Sequence, residues 1–217
     1  MYQPSHFTES DPDVLMATMR AAPLATLVHS AGGELGADLL PMEVERQGDA
    51  WRLRAHVARA NPLWKLADGQ PVLVLFQGPQ AYVSPALYPA KAVHGKVVPT
   101  WNYTVVQAHG RLRAVDDPAW VQAFVTGLTE RHETGRAHPW EVADAPPDYI
   151  ASMVKAIVGI EIEVTRLEGK FKLSQNRAAE DRLGVIQGLD AEPADGPQPE
   201  AARTAQAMRD AEGRRPT

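Results

Sequence analysis

Cysteine is absent from all 217 residues, so disulfides, thiolate zinc sites, iron–sulfur clusters and thiol nucleophiles are excluded. Its absence fits a reducing compartment. Long apolar runs are absent too: the longest, PVLVLF at residues 71–76, falls far short of a membrane span. The opening residues, MYQPSHFTESDPD, lack the basic and apolar regions of a secretory leader. The expectation is a soluble, cytoplasmic chain with no membrane partner. Positive charge is not in excess, since 22 Lys and Arg stand against 27 Asp and Glu, a formal net charge of −5. That balance weighs against a globular part that lives on phosphate contacts with nucleic acid. The P-loop, the Rossmann glycine fingerprint and the G-x-S-x-G elbow are all missing. His132, Glu133 and His138 look faintly like a zinc helix. Their six-residue histidine spacing is wrong for one helical face, so they read as surface residues and no metal is expected.

What remains is ordinary globular material, 44% hydrophobic and 23% charged, and long enough to bury a core. Eighteen prolines and sixteen glycines suit a loop-rich β fold. A helix opens near Pro12 and ends near Ala22, with Val14, Leu15 and Met19 on one stripe. Short strands follow at 24–30, 35–44 and 50–56, joined by turns at 31–33 and 47–49. Asn61-Pro62 starts a short helix to residue 67, and 71–76 reads as a buried strand. Gly78-Pro79 then reads as a turn into a strand at 80–84. Residues 85–99 look irregular, and a long strand is expected over 101–114. Helices over 118–131, 147–156 and 177–189 surround a strand at 157–167. About seven strands and four or five helices without βαβ alternation agree with a β-barrel with flanking helices, an α+β fold, but do not by themselves select it. Residues 190–217 contain no Val, Leu, Ile, Phe, Tyr or Trp and four prolines. They are expected to be a disordered tail, with at most a transient helix over 200–209, after a domain at 1–189.

Three clusters carry candidate chemistry. In the first, AHVARANP at residues 55–62, small residues let a ligand approach a strand end. Arg59 offers a fork for phosphate and Asn61 caps a helix whose free N–H groups favour an anion. The plain alternative is a surface arginine beside a capped helix. In the second, VPTWNY at residues 98–103, Trp101 and Tyr103 flank Asn102 as if to stack on a flat ligand while the amide reads an edge. Ordinary core aromatics are the alternative there. Tyr82-Val83-Ser84-Pro85 lies across the same loop. The third, GKFKLSQNR at residues 169–177, gathers three cations, a hydroxyl and amides where a strand meets a helix. Lys172 or Arg177 supplies charge and Ser174, Gln175 and Asn176 supply hydrogen bonds for a phosphate or a ribityl chain. A capped helix start is the alternative.

In order along the chain, these clusters resemble the PaiB-type FMN-binding regulators. That family carries M-Y-x-P-x-x-F, H-x-A-R-x-N-P-x-W, Y-[VI]-S-P-x-x-Y, V-P-T-W-N-Y and K-x-K-x-S-Q-N-R blocks. Here they are residues 1–7, 56–64, 82–88, 98–103 and 170–177. Two positions depart, since Leu39 and Gln107 stand where the family tends to have histidine. The resemblance implies an FMN-binding split barrel, similar to pyridoxamine-phosphate-oxidase-like flavoproteins, that forms a homodimer with FMN at the subunit interface. It implies FMN near Leu53, Arg54, Ala55, His56, Ala58, Arg59 and Asn61. Trp101 and Asn102 are then expected near the ring, and Lys172, Ser174, Gln175 and Arg177 near the polar groups or the phosphate.

The expectation is therefore an FMN-binding homodimer in a bacterial cytoplasm, acting as a transcriptional regulator or flavin-linked sensor. DNA enters as a partner by the resemblance alone, and Arg111, Arg113, Arg203, Arg209, Arg214 and Arg215 are the cations available for it. The alternative is an FMN-dependent oxidoreductase or flavin reductase, with His56, Tyr82 and Tyr103 as proton-handling candidates. A barrel without cofactor, serving as an interaction module, is the third reading.

Overall fold

The computed structural model describes residues 1–30 and 33–214. In chain order the strands are β1 (Thr8–Glu9), β2 (Leu24–His29), β3 (Gly36–Pro41), β4 (Glu43–Gln47), β5 (Ala50–Ala58), β6 (Pro71–Val83), β7 (Thr100–Val115) and β8 (Ile157–Lys172). The helices are α1 (Pro12–Ala21), α2 (Leu63–Leu66), α3 (Ala90–His94), α4 (Pro118–Glu133), α5 (Pro147–Lys155), α6 (Ala179–Asp190) and α7 (Ala201–Gly213). The antiparallel sheet runs β3-β2-β6-β7-β8-β5-β4 with β1 beside β8, an open path rather than a ring. The expected α+β class, a split barrel sheet with flanking helices, holds in that form. The chain divides into two compact units. The first comprises Met1–Ala21, Gln77–Val106 and Glu168–Thr217, and the second comprises Ala22–Phe76 and Gln107–Leu167.

In the second unit, pairing of β5 with β8 sets both faces of the sheet. Leu53, Ala55 and Val57 stand opposite Ile162, Ile160 and Val158, and all six are buried. Cross-strand apolar pairs of this kind are the unit of sheet stabilisation. On the other face Arg52 and Arg54 stand opposite Glu163 and Glu161. Helix α4 packs against this polar face. It starts where the Asp117 carboxylate accepts from the Ala119 N–H at 2.9 Å and Pro118 fits the first turn. Trp120 lies on Gly159, where any Cβ would overlap the indole, and stacks on Phe124 at 5.3 Å.

Glu161 is 9% exposed and collects three guanidinium groups: Arg113 at 2.8 Å, Arg54 at 3.4 Å and Arg52 at 3.7 Å. Burial alone would raise its carboxyl. The Arg113 hydrogen bond and the three positive charges outweigh it and hold the group below the usual carboxylate range.

The first unit packs α6 and α7 with the end of β8, the start of β7 and the end of β6. Phe171, Leu173, Val185, Leu189 and Met208 are buried there.

Four features differ from the sequence reading. Strand β6 runs straight through Gly78-Pro79, where a turn was expected. Glycine is needed at 78 for close approach, since a Cβ would overlap the Thr104 hydroxyl. The expected strand 35–44 is broken at Met42, whose N–H bonds the Pro23 carbonyl at 2.7 Å. On either side of that break β3 pairs with β2 and β4 pairs with β5. Residues 85–99 contain a 3₁₀ turn, Pro85–Leu87, and α3. The expected disordered tail contains α7, with Ala201, Thr204, Ala205 and Met208 buried. Counting large apolar residues missed it, because alanines bring a helix close to its neighbour and one methionine then fills the gap. Burying Met208 contributes roughly 2 kcal/mol. Of the expected turn at 31–33, residues 31 and 32 lie outside the described residues.

Glu161→Gln is expected to lower stability at neutral pH by roughly 3 kcal/mol, because three arginines lose a buried counter-charge. A depressed carboxyl stabilises the fold above its ordinary value of 4.5 and loses that contribution as pH falls through its folded value. The variant should therefore show a flatter acid limb, and urea unfolding measured from neutral pH down to about pH 3 checks both outcomes.

Candidate functional site

Strand β7 alternates from its first residues. Asn102, Thr104 and Val106 are buried, whereas Trp101, Tyr103 and Val105 are half-buried or exposed, because successive strand side chains point to opposite faces. The end of β8 does the same, with Gly169 and Phe171 buried and Lys170 and Lys172 half-buried. The open face of the first unit therefore carries Trp101, Tyr103, Lys170 and Lys172. The Lys170 ammonium sits 5.6 Å from the Tyr103 ring centre and donates to the Tyr2 carbonyl at 2.9 Å. Lys172 donates to the Thr100 hydroxyl and, at 2.9 Å, to the Trp101 carbonyl. Trp101 donates its indole N–H to Gln80 at 3.1 Å and meets Tyr82 edge-on at 6.0 Å.

Neither lysine has a carboxylate within ion-pair distance among the described residues. Burial lowers the Lys172 ammonium below its ordinary range, and the charges of Lys170 and Arg177 lower it further, against the pull of Tyr103.

The other face of the same strands is closed. Asn102 is fully buried, and its amide pairs with the Ser174 hydroxyl, donating Nδ2–H at 3.1 Å and accepting at Oδ1 at 3.1 Å. Its Nδ2 also lies 3.4 Å from the Met208 sulfur. Ser174 holds a left-handed backbone, φ 65°, which costs a residue with a Cβ. The Gln175 side chain closes its own corner, accepting from the Leu173 N–H at 2.7 Å and donating to the Phe171 carbonyl at 2.6 Å. Arg177 lies 5.0 Å over the ring of buried Tyr88. Burial raises the Tyr88 phenol, and the Arg177 charge pulls it back only in part.

The third cluster is thus divided between faces: Lys172 lies with Trp101 on the open one, and Ser174 lies with Asn102 on the closed one. Trp101 and Asn102, expected together beside one ring, point opposite ways. Lys170 and Thr100 were not among the expected site residues. The K-x-K spacing places Lys170 on the Lys172 face and was the available signal.

The first cluster lies in the second unit. Leu53 and Ala55 are core residues, and Arg54 bonds Glu45 at 2.6 Å while facing the Trp120 ring at 6.0 Å. His56 is half-buried 5.9 Å from the Phe124 ring centre, and burial lowers its pKa. Ala58 is exposed at the end of β5. The Arg59 fork, expected to await phosphate, already holds both oxygens of Asp116, at 2.8 and 2.6 Å. Hydrogen bonding to Asp116 raises the Arg59 guanidinium and lowers the Asp116 carboxyl. Asn61 caps α2 by accepting from the Leu63 N–H at 2.9 Å and donates to Asp38 at 2.7 Å. With only four residues, α2 offers no anion site.

A cavity of about 610 Å³ lies elsewhere in the second unit, lined by Gln122, Thr126, Glu130, Glu141 and Ile150, and contains none of the candidate residues. Among the described residues no three His, Asp or Glu side chains gather as metal ligands. No helix among them is long and apolar enough to cross a membrane.

Residues 1–166 match the family described as "Putative FMN-binding domain". The protease synthase and sporulation protein PAI 2 of Bacillus subtilis is 30% identical over 211 residues, 97% of each chain. An uncharacterized protein of Aspergillus fumigatus is 40% identical over 171 residues, 64% of this chain. The chain spans 66% of the length of that fungal relative, and relatives occur in fungi as well as bacteria. Among solved structures, the FAD and heme binding protein of Mycobacterium smegmatis superposes with a TM-score of 0.57 at 16% identity, covering 82% of this chain and 78% of that one. The flavocytochrome Anf3 of Azotobacter vinelandii gives 0.54 at 17% identity, covering 82% and 75%. These two likenesses establish a shared fold.

The match to the family ends before the Ser174 corner, which calls for a direct test. Ser174→Ala keeps the backbone strain and strands the buried Asn102 amide, whereas Ser174→Gly relieves the strain. The alanine variant is expected to be less stable than the glycine variant by about 1 kcal/mol, read from paired denaturant titrations.

Proposed function

The chain belongs to the PaiB-type FMN-binding domain family, and from that premise we propose that it binds the phosphate end of FMN on the Lys170–Lys172 face and acts as a homodimeric, flavin-linked regulator in the cytoplasm. The cofactor is FMN, which when bound supplies reversible electron transfer. Lys172 is the observation that carries the reading. It is a partly desolvated ammonium, crowded by two like charges and held by neutral oxygens alone. An arriving dianion offsets the like-charge crowding of such a group and breaks no ion pair. The exposed Trp101 and the Tyr82 and Tyr103 rings beside it suit a flat aromatic system.

A regulatory output is favoured over catalysis because, of the three groups considered for proton transfer, the imidazole of His56 lies in the second unit and only the phenols of Tyr82 and Tyr103 lie on this face. The Bacillus relative's name, which speaks of protease synthesis and sporulation, points the same way. Support for the dimer comes from β3, a sheet edge on which Leu39 is 66% exposed, with Leu24 on neighbouring β2 61% exposed. An uncovered aliphatic edge is a liability that a second copy removes. Direct DNA contact gains less support. Arg113 is tied to Glu161, Arg111 to the Gly69 carbonyl, Arg203 to Glu200, Arg209 to Asp190 and Arg214 to Glu9. Arg215 lies outside the described residues.

FMN titration followed by flavin fluorescence is expected to saturate in the micromolar range or below. Lys172→Met should weaken binding about tenfold or more, while Arg59→Gln should change it by less than about threefold. The reverse ranking would move the phosphate to Arg59, and no saturable binding would overturn the proposal. Steady NAD(P)H consumption by the FMN-loaded protein would replace regulation with the reductase reading.

A further inference from the structure

We infer that α7 is a positioning element for the open face of the first unit and acts on it through the strands, from behind. The ligand named for that face rests on the reading above, whereas the mechanical coupling rests on geometry alone. Met208 is the one large apolar residue α7 buries, beside Ala201, Thr204 and Ala205. It touches the amide of Asn102, and that amide holds Ser174. Asn102 directly follows Trp101, whose carbonyl accepts from Lys172, and Ser174 stands two residues after Lys172. Every group that Met208 fixes on the closed face is thus a near neighbour in the chain of a group displayed on the open one.

Two features make this contact a control point rather than inert packing. Ser174 sits at φ 65°, a conformation a serine keeps only while its surroundings hold it there. Its hydroxyl pairing with Asn102 helps hold it, beside the Gln175 side chain and the Arg177 N–H that bonds its carbonyl at 2.9 Å. Loss of α7 therefore removes one of these restraints on residues 173–175 and loosens Lys172 with them. In addition, α7 has one large apolar anchor in its 13 residues, and its other ties include ion pairs: Arg182 with Glu212 at 2.6 Å, Arg209 with Asp190, and from the residue after it Arg214 with Glu9 at 3.5 Å. A helix held this way opens before the sheet it covers. Coupling of this kind is reciprocal, so an anion on Lys172 tightens α7 by the factor by which α7 tightens the anion.

The test compares the full-length parent with Met208→Asp, Met208→Leu and Glu212→Lys by three readouts: hydrogen exchange of the 201–213 amides, the acetylation rate of Lys172 by mass spectrometry, and FMN titration. Met208→Asp should speed α7 exchange about tenfold or more, raise Lys172 acetylation several-fold and weaken FMN about tenfold. Met208→Leu should stay within about twofold on all three, because it keeps the volume. In the parent, saturating FMN should slow α7 exchange. Release of α7 with Lys172 acetylation unchanged overturns the inference. Glu212→Lys loosens α7 from the surface and decides the question if the aspartate variant does not fold. The acetylation readout involves no flavin, so failure of the parent to bind FMN would remove the preceding proposal and leave this one to be judged by Lys172.

Discussion

A strand offers each side chain to one face only, and this constraint organises everything at the candidate site. Along β7 it sends Trp101 and Tyr103 outward and Asn102 and Thr104 inward. Along β8 it sends Lys170 and Lys172 outward and Phe171 inward. The consequence is a division of labour within two short motifs. One set of residues faces outward with charge and rings, and the interleaved set closes a buried network that includes a left-handed serine and a thioether. Neither set can be displaced without moving the other, because they alternate along the same backbone.

Charge compensation separates the two candidate phosphate groups more clearly than charge count does. In the second unit Arg54 bonds Glu45, Arg113 bonds Glu161, and Arg59 holds Asp116 through both ends of its fork. In the first unit the lysines of β8 rest on neutral oxygens. The Arg59–Asp116 pair is surface-exposed, and solvent screens a pair of that kind. It would not strongly resist a competing dianion. The preference for Lys172 therefore comes from what it gains, relief of desolvation and like-charge crowding, rather than from any strength in the pair that occupies Arg59.

How much of this could be read from residues alone depended on whether the signal was local. Alternation in 157–167 and the Asp117-Pro118 start of α4 are local, and both elements start where periodicity and capping put them, although β8 runs on to Lys172 and buries Glu161 on the face expected to be wet. The PaiB-type blocks carried the fold class and the cofactor, which periodicity alone could not have chosen. Gly78-Pro79 misled because a glycine demanded by a neighbour across the sheet looks the same, in one dimension, as a glycine demanded by a turn. The occupation of Arg59 by Asp116 was equally hidden, since 57 residues separate the partners. Motif reading also pooled Trp101 with Asn102, which counting by twos along β7 separates, and Lys172 with Ser174, which lies past the end of β8 where its left-handed backbone turns the chain and alternation no longer applies.

Residues 190–217 mark where composition stops being a guide. Counting large apolar residues asks whether a segment can build its own core, and this one cannot. Helix α7 does not need a core of its own, because α6 and the buried Asn102–Ser174 pair already offer a surface that is missing one small-residue face and one flexible side chain. Alanine and threonine supply the close approach, and methionine, with an unbranched and polarizable chain, adapts to the irregular gap. A segment poor in hydrophobic residues can thus be ordered by a neighbour. It stays ordered only as long as that neighbour keeps its shape, so the order of α7 and the strain at Ser174 stand or fall together.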